Sequence, residues 1–455
     1  MQKLLELLNK TFKYLVAALL IVVPLYPKFP FIQIPGIYVS VRAEDFLIAL
    51  IAIFTLIKFI PDIKRLLKDD IVRAIAVFLT VGLVSLIAGV FLTKTVVLSI
   101  GALHFLRRIE YFVPFFAILA FYPYDKGKNL EFYVKVLMIV VFVAFIYGFG
   151  QMHFGFPVIT TQDSESSKGI AMLWTVGSQI TSTFAGHYDL AAFMVLILPI
   201  FITLVFTIEE KFSKLLLSLV ALSGFWLLVN TASRISLVSY LLSICISFFL
   251  LKKYKILIFV VLISIVFSGF SSNLFARYVN LIDVYSSKIK NIKIVKANLF
   301  DFTVLAQEAS PAATPVPAPV FEDRSTSIRL TVEWPGAIRA FFKDPLLGTG
   351  YSSVGLAVDS DYLRLLAEVG SLGFLGFMLV IARVLFAFAS AIPLTKNFSG
   401  IKLGFVAGAV GGIFGTLLNA IFIDVFEASK FAIIFWLIVG LAVCIVRDRL
   451  NVDKN

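Results

Sequence analysis

Around a dozen apolar runs, each long enough to cross a bilayer, follow one another through this 455-residue chain, and one long polar stretch, 271–358, interrupts them near the end. A helix that spans the hydrocarbon core needs about 20 mostly apolar residues. Runs of that kind lie at 11–27, 44–60, 71–92, 108–123, 131–150, 188–207, 213–230, 235–251, 255–270, 367–390, 402–422 and 430–446. With 60% hydrophobic residues and a mean hydropathy of +0.98, a polytopic membrane protein is the class that fits. The expected fold is an all-α, polytopic transmembrane helical bundle of about 12 spans with one large extracytoplasmic loop. Residues 1–270 supply about nine N-terminal spans, 271–358 the loop with its Pro/Ala-rich linker, and 359–455 the C-terminal transmembrane helices.

Lysine and arginine set the orientation. Lys10 and Lys13, Lys64 to Lys68, Lys126 and Lys128, Lys211 and Lys214, Lys252 to Lys255, Lys396 and Lys402, and Arg447 and Arg449 fall in alternate loops and at both termini. Short basic loops stay cytoplasmic, which places both ends inside. The same pattern accounts for the net charge of +12 as topology, so nucleic acid is not an expected partner. The two cysteines, Cys245 and Cys444, sit in apolar runs, and His104, His153 and His187 are scattered, a poor basis for a metal site or a disulfide. The first apolar run lacks a small-residue cleavage site and reads as a retained helix.

Three outer segments stand out: 151–188, the short turn 230–234, and the long insertion. The start of the insertion, 275–296, mixes lysines with Ile and Val, as an interfacial amphipathic helix does. Its middle, 309–319, is a Pro/Ala linker. Its end, 325–342, has helical spacing that Pro335 should kink or restart. A Walker lysine and a Gly-rich nucleotide loop are absent from the sequence, which weakens an ATP-driven transporter.

Four groups of residues could carry chemistry. Arg234 follows Thr231-Ala232-Ser233 at the mouth between two spans. A cation costs about 2.5–3.5 kcal/mol at the bilayer centre and less near the interface. Arg234 therefore either snorkels to the headgroups or anchors a diphosphate through its rigid two-pronged donor set. Arg329, with Arg324 and Arg339 close by, either pairs with Glu333 one turn on or converges on the same anion. Asp359 and Asp361 precede a helical stretch, where they cap it or where one of them takes a proton from a sugar hydroxyl. His187, beside Asp189 at the outer end of the sixth span, is an interfacial polar residue, a substrate contact or an alternative base.

At these residues the chain resembles the O-antigen ligase and O-antigen polymerase family. The resemblance is carried in order by the Thr-Phe-x-x-x-x-x-Leu-Ala run from Thr183 to Ala191 and the Thr-x-Ser-Arg turn ending at Arg234. It continues through Arg329-x-x-x-x-Trp334, Pro345-Leu346-Leu347-Gly348-Thr349-Gly350, and Asp-x-Asp-Tyr-Leu-x-x-Leu-x-Glu-x-Gly-x-x-Gly from Asp359 to Gly373. It covers the chain from Thr183 onward; the earlier spans match only in being apolar.

The resemblance implies a GT-C-like, metal-independent glycosyltransferase without a cofactor, in the cytoplasmic (inner) membrane with an extracytoplasmic active site. Its donor would be an undecaprenyl-diphosphate-linked oligosaccharide and its acceptor a glycan or glycolipid. Arg234 and Arg329 would carry over as diphosphate-binding arginines. Ligases that attach O-antigen to lipid A-core usually show His where Asp359 stands, which moves the expectation toward a polymerase or another acceptor. The competing class is a transporter or flippase for lipid-linked sugars. Such proteins tend to have inverted repeats and broken helices at the midplane, whereas the sequence has no matching halves and its candidate polar residues cluster at one face.

Overall fold

Every apolar run becomes a helix. The computed structural model describes residues 2–27, 29–32, 41–60, 63–159, 171–175, 177–269, 327–355 and 358–452. The helices before the insertion are α1 (Gln2–Leu25), α2 (Ala43–Phe59), the short α3 (Ile63–Leu66), α4 (Asp70–Phe91), α5 (Leu98–Asp125) and α6 (Leu130–His153), then α7 (His187–Val205), α8 (Lys211–Asn230), α9 (Arg234–Leu250) and α10 (Tyr254–Gly269). After it come a π-helical turn, Arg329–Glu333, then α11 (Trp334–Phe341), α12 (Asp361–Ala389), α13 (Leu394–Asn397), α14 (Gly400–Asn419) and α15 (Ser429–Val452). Two small antiparallel hairpins, β1 (Pro30–Ile32) with β2 (Val41–Arg42) and β3 (Val158–Ile159) with β4 (Ala171–Met172), lie in the connections. Among the described residues, seven helices (α4, α6, α7, α8, α12, α14 and α15) are long and apolar enough to cross a membrane, and α9 and α10 are shorter apolar helices. The expected amphipathic helix at 275–296, the Pro/Ala linker and Arg324 lie outside the described residues.

The helices α7 and α15 form the centre, buried along nearly their whole lengths. The small face of α14 lets α7 and α9 come close: a Cβ on Gly408 would lie 2.4 Å from Ile200 Cα, and one on Gly415 would lie 1.9 Å from Ser243 Oγ. Close approach of this kind is how helices associate where lipid removes the hydrophobic drive.

The two ends of the bundle differ chemically. At one end, Lys430 at the start of α15 is fully buried and donates to Pro24 O (3.2 Å) and Thr183 O (2.7 Å). Thr183 Oγ1 donates to the same Pro24 carbonyl (2.8 Å), and Asp361 N–H to Ala420 O (3.0 Å). The C-terminus of α1, the residues before α7, and the starts of α12 and α15 therefore meet there. At the other end, Arg447 bridges Asp69 (2.5 Å), Arg449 Nε donates to Asn397 O (3.1 Å) and Lys253 donates to Phe206 O. That is the end rich in lysine and arginine.

One helix is broken. Within α12, Gly370 has φ 71° and ψ −174°, so the helix stops at Val369 and restarts at Ser371. The turn Pro345-Leu346-Leu347-Gly348-Thr349-Gly350 lies across the gap and satisfies both broken ends. Thr349 N–H and Gly350 N–H donate to Ala367 O (2.9 Å) and Glu368 O (2.8 Å), while Ser371 N–H and Leu372 N–H donate to Pro345 O (2.9 Å) and Leu346 O (3.2 Å). Irregular backbone at membrane depth is tolerated only when protein supplies its hydrogen bonds. Ser85 of α4 adds a bond to Glu368 O (2.7 Å) from the far side.

The two chains of this crossing are too close for side chains. A Cβ on Gly370 would meet Leu346 O at 2.2 Å, and its positive φ already disfavours any L residue. Gly370→Ala should therefore lower the thermal stability of the detergent-solubilised protein by at least about 1–2 kcal/mol from backbone strain alone. Gly336→Ala, where a Cβ meets nothing within 4 Å, should leave it unchanged; thermal unfolding of the two variants side by side checks this.

Candidate active site

The π-helical turn is written in the sequence. Pro335 lacks the N–H that an α-helix would direct at Thr331 O, and its ring crowds that carbonyl. The backbone widens by one residue, and Trp334 N–H reaches Arg329 O instead. This turn directs Arg329 into the protein, where it is 8% exposed.

Arg329 does not pair with Glu333, as the one-turn spacing suggested. Its Nη2 and Nε both approach Asp359 Oδ2, at 2.7 and 2.9 Å. Nη2 also donates to Tyr188 Oη (3.2 Å), and the guanidinium carbon lies 5.7 Å from the Tyr188 ring centre. His187 opens α7 and packs its ring against Tyr188 at 4.0 Å between centroids. Three sequence candidates, His187, Arg329 and Asp359, thus meet around one tyrosine that pattern reading passed over.

Asp359 sits on a built turn. Its φ is +51°, a left-handed conformation that Asp tolerates better than most residues. Asp424 holds the turn from below: Oδ2 accepts from Val358 N–H (3.1 Å) and Asp359 N–H (3.2 Å), and Oδ1 from Ser360 N–H (2.9 Å). The helix cap itself is Ser360, whose hydroxyl accepts from Leu363 N–H, so neither aspartate is the N-cap. Asp361 points the other way. It is 2% exposed, and both of its carboxylate oxygens accept from Phe426 N–H at 3.2 and 3.1 Å. That tie fixes the start of α12 to the α14–α15 connection.

Below Asp424 the charges continue inward. Arg364 donates to Asp424 Oδ2 (2.8 Å) and approaches Glu368 (3.3 Å) and Glu427 (3.9 Å). Glu427 is bridged by Arg108, which donates to Phe426 O at 3.0 Å. Burial pushes the Asp424 carboxyl up, but Arg364 and the N–H donors of Val358 and Ser360 outweigh it and hold the group below the usual carboxylate range. Burial raises Asp359, and the neighbouring Arg329 only partly reverses the rise. Burial, then the charge on Asp359, lifts Glu333 to about 7.

Arg234 begins α9 and is half-buried. Its turn turns back sharply at Ala232 (φ +52°), Ser233 caps the helix, and Ser233 Oγ and Ser236 Oγ lie 2.7 Å apart. Ser236 Oγ donates to Asn419 Oδ1 (3.1 Å) at the end of α14, one residue from the Ala420 carbonyl that accepts from Asp361 N–H. The Arg234 turn and the Asp359–Asp361 turn therefore lean on the same helix end. Arg339 is exposed in the last turn of α11, away from the Arg329 cluster. Among the described residues, no group of three His, Cys, Asp or Glu side chains is placed to hold a metal ion.

Asp424→Asn would leave the buried Arg364 guanidinium short of a charge partner and weaken the acceptor of three N–H groups. A loss of about 3–5 kcal/mol is expected. Since the folded carboxyl lies below its ordinary value, its contribution is complete above about pH 4 and is lost as pH falls through the lowered value. Thermal unfolding against pH should show wild type and variant far apart at neutral pH and converging in acid.

No curated protein matches the chain. Residues 218–378 match the family model described as O-Antigen ligase, a stretch that runs from α8 into α12 and holds Arg234, Arg329, the Pro345–Gly350 turn, Asp359 and Asp361. His187, Tyr188 and Asp424 lie outside it. With seven candidate membrane spans among its described residues, this mostly helical chain is compatible with a polytopic membrane protein and is similar, over residues 218–378, to the O-antigen ligase family.

Proposed function

We propose that this protein is a membrane glycosyltransferase of the O-antigen ligase type. It moves a glycan from an undecaprenyl-diphosphate carrier to a hydroxyl of an acceptor glycan or glycolipid at the outer face of the cytoplasmic membrane. The observation that carries the reading is the buried Arg329 guanidinium, held between Tyr188 and Asp359 where α7 and α12 begin. The basic loops gather at the opposite end of the bundle, and short basic loops stay in the cytoplasm, so the Arg329 end faces outward.

The chemistry needs little from the protein except position and charge. Diphosphate leaves readily, so the task is to neutralise the charge that grows on it, which preorganised cations do well. A diphosphate offers more charge and more oxygens than the single Asp359 carboxylate, and it exchanges with that carboxylate on the Arg329 fork. Arg234, carried on the neighbouring turn, supplies the second cation. Attack of the acceptor hydroxyl oxygen on the anomeric carbon breaks its bond to the diphosphate oxygen, which keeps the electron pair. Direct displacement of this kind inverts the anomeric centre, and comparing donor and product configuration checks it.

Substitution of Arg329 by Lys keeps the charge and loses the two-pronged geometry. In proteoliposomes with a lipid-diphosphate oligosaccharide, Arg329→Lys and Arg234→Lys should each lower kcat/KM by about 10²-fold or more. Near-normal transfer with both arginines replaced by Ala would remove the reading. The same reaction separates a polymerase, which builds a ladder of products, from a ligase, which makes a single capped species.

A further inference from the structure

Two buried polar atoms on one turn have no partner. Glu333 Oε2 and Trp334 Nε1 are both shielded from solvent and make no hydrogen bond to any described residue. Buried polar groups are nearly always satisfied, so an orphan calls for an explanation. Here one orphan is a carboxylate acceptor and the next is an N–H donor, and they follow Arg329 on the same π-to-α helical segment. A sugar hydroxyl both donates and accepts, and an indole face also suits a sugar ring. Trp334 lies over the loop that ends α14, its ring 5.9 Å from that of Phe422.

The candidates named from sequence are otherwise engaged. Asp361 is locked to Phe426 N–H. Before donor binds, Asp359 spends Oδ2 on two arms of Arg329, and the His187 ring packs at a tilt against that of Tyr188. We infer that Glu333 and Trp334 form the acceptor-sugar subsite, with the Glu333 carboxylate as the general base that takes the proton of the attacking hydroxyl and Trp334 Nε1 as a donor to the acceptor sugar. Asp359 is then a positioning residue that holds Arg329 in place until the diphosphate takes over the fork. The assignment rests on the glycosyl-transfer reading above.

The step balances without a further reactant. The acceptor oxygen forms its bond to the anomeric carbon, the diphosphate departs with the bonding electrons, and the hydroxyl proton moves to Glu333 Oε2 and later to water. Burial does most to raise the Glu333 carboxyl; of the charged groups facing it, Asp359 and Asp424 add to the rise and Arg329 and Arg364 oppose it, and the balance lies at about 7. A base poised there is about half in its carboxylate form near pH 7 and still basic enough to accept a proton. Its active form is the carboxylate, so kcat/KM falls as pH drops below 7.

The test uses the full-length protein in nanodiscs with an undecaprenyl-diphosphate oligosaccharide and its acceptor, from pH 5 to 9, with donor binding measured alongside. Glu333→Gln should lower kcat by about 10²-fold or more, keep wild-type donor affinity and lose the limb near pH 7. Glu333→Asp should retain that limb, and Trp334→Phe should raise the acceptor KM while leaving the donor KM unchanged. Glu333→Gln with near wild-type kcat and the limb intact overturns the inference. So does loss of donor binding in both Glu333 variants, which would make the residue structural. Failure of the diphosphate reading looks different: Arg329→Ala would then bind donor normally while Glu333→Gln still lost the limb.

Discussion

The break in α12 at Gly370 lies beside a polar cluster in an apolar bundle, and it survives because another backbone segment completes it. Four hydrogen bonds between residues 345–350 and 367–372 replace those the helix gives up. Buried backbone groups without partners cost several kcal/mol each where water is absent, so turn and break stand or fall together. The crossing holds the first half of α12, which packs against α11. Arg329 and Asp359, 30 residues apart in sequence, are thereby brought to 2.7 Å.

Charge reaches this place as a chain rather than as isolated pairs. From Arg329 and Asp359 it passes through the Asp359 backbone to Asp424, then to Arg364, Glu368, Glu427 and Arg108. Each member alone would be costly to bury, and together each has a partner of opposite sign. The arrangement stabilises the Asp359 turn in its left-handed conformation.

The helices were legible in the sequence because an apolar run beside lipid has little choice but to be a helix. The turn at Pro345 and the role of Pro335 were legible in part, since proline and glycine restrict the backbone locally. What pattern reading missed was partnership across the bundle. It offered Glu333 as the mate of Arg329, yet the π-turn swings Arg329 to Asp359. It offered Asp361 as a base, yet the residue tethers Phe426. The roles of Tyr188, Asp424 and Lys430 are hardly visible locally because their partners lie far away in sequence: Asp424 meets Ser360, and Lys430 meets Pro24. A faint cue existed in the charges Asp424 and Glu427 and in Lys430, which stand between apolar runs where lone charges are costly.

The central claim is that Arg329 exchanges a protein carboxylate for a lipid diphosphate. The most direct measurement is a structure of the protein in lipid with an undecaprenyl-diphosphate oligosaccharide bound. Phosphate oxygens are expected within hydrogen-bond reach of the Arg329 guanidinium, with Asp359 moved off the fork and the Asp424–Arg364 pair beneath unchanged. A diphosphate seated elsewhere, with Arg329 still joined to Asp359, would contradict it.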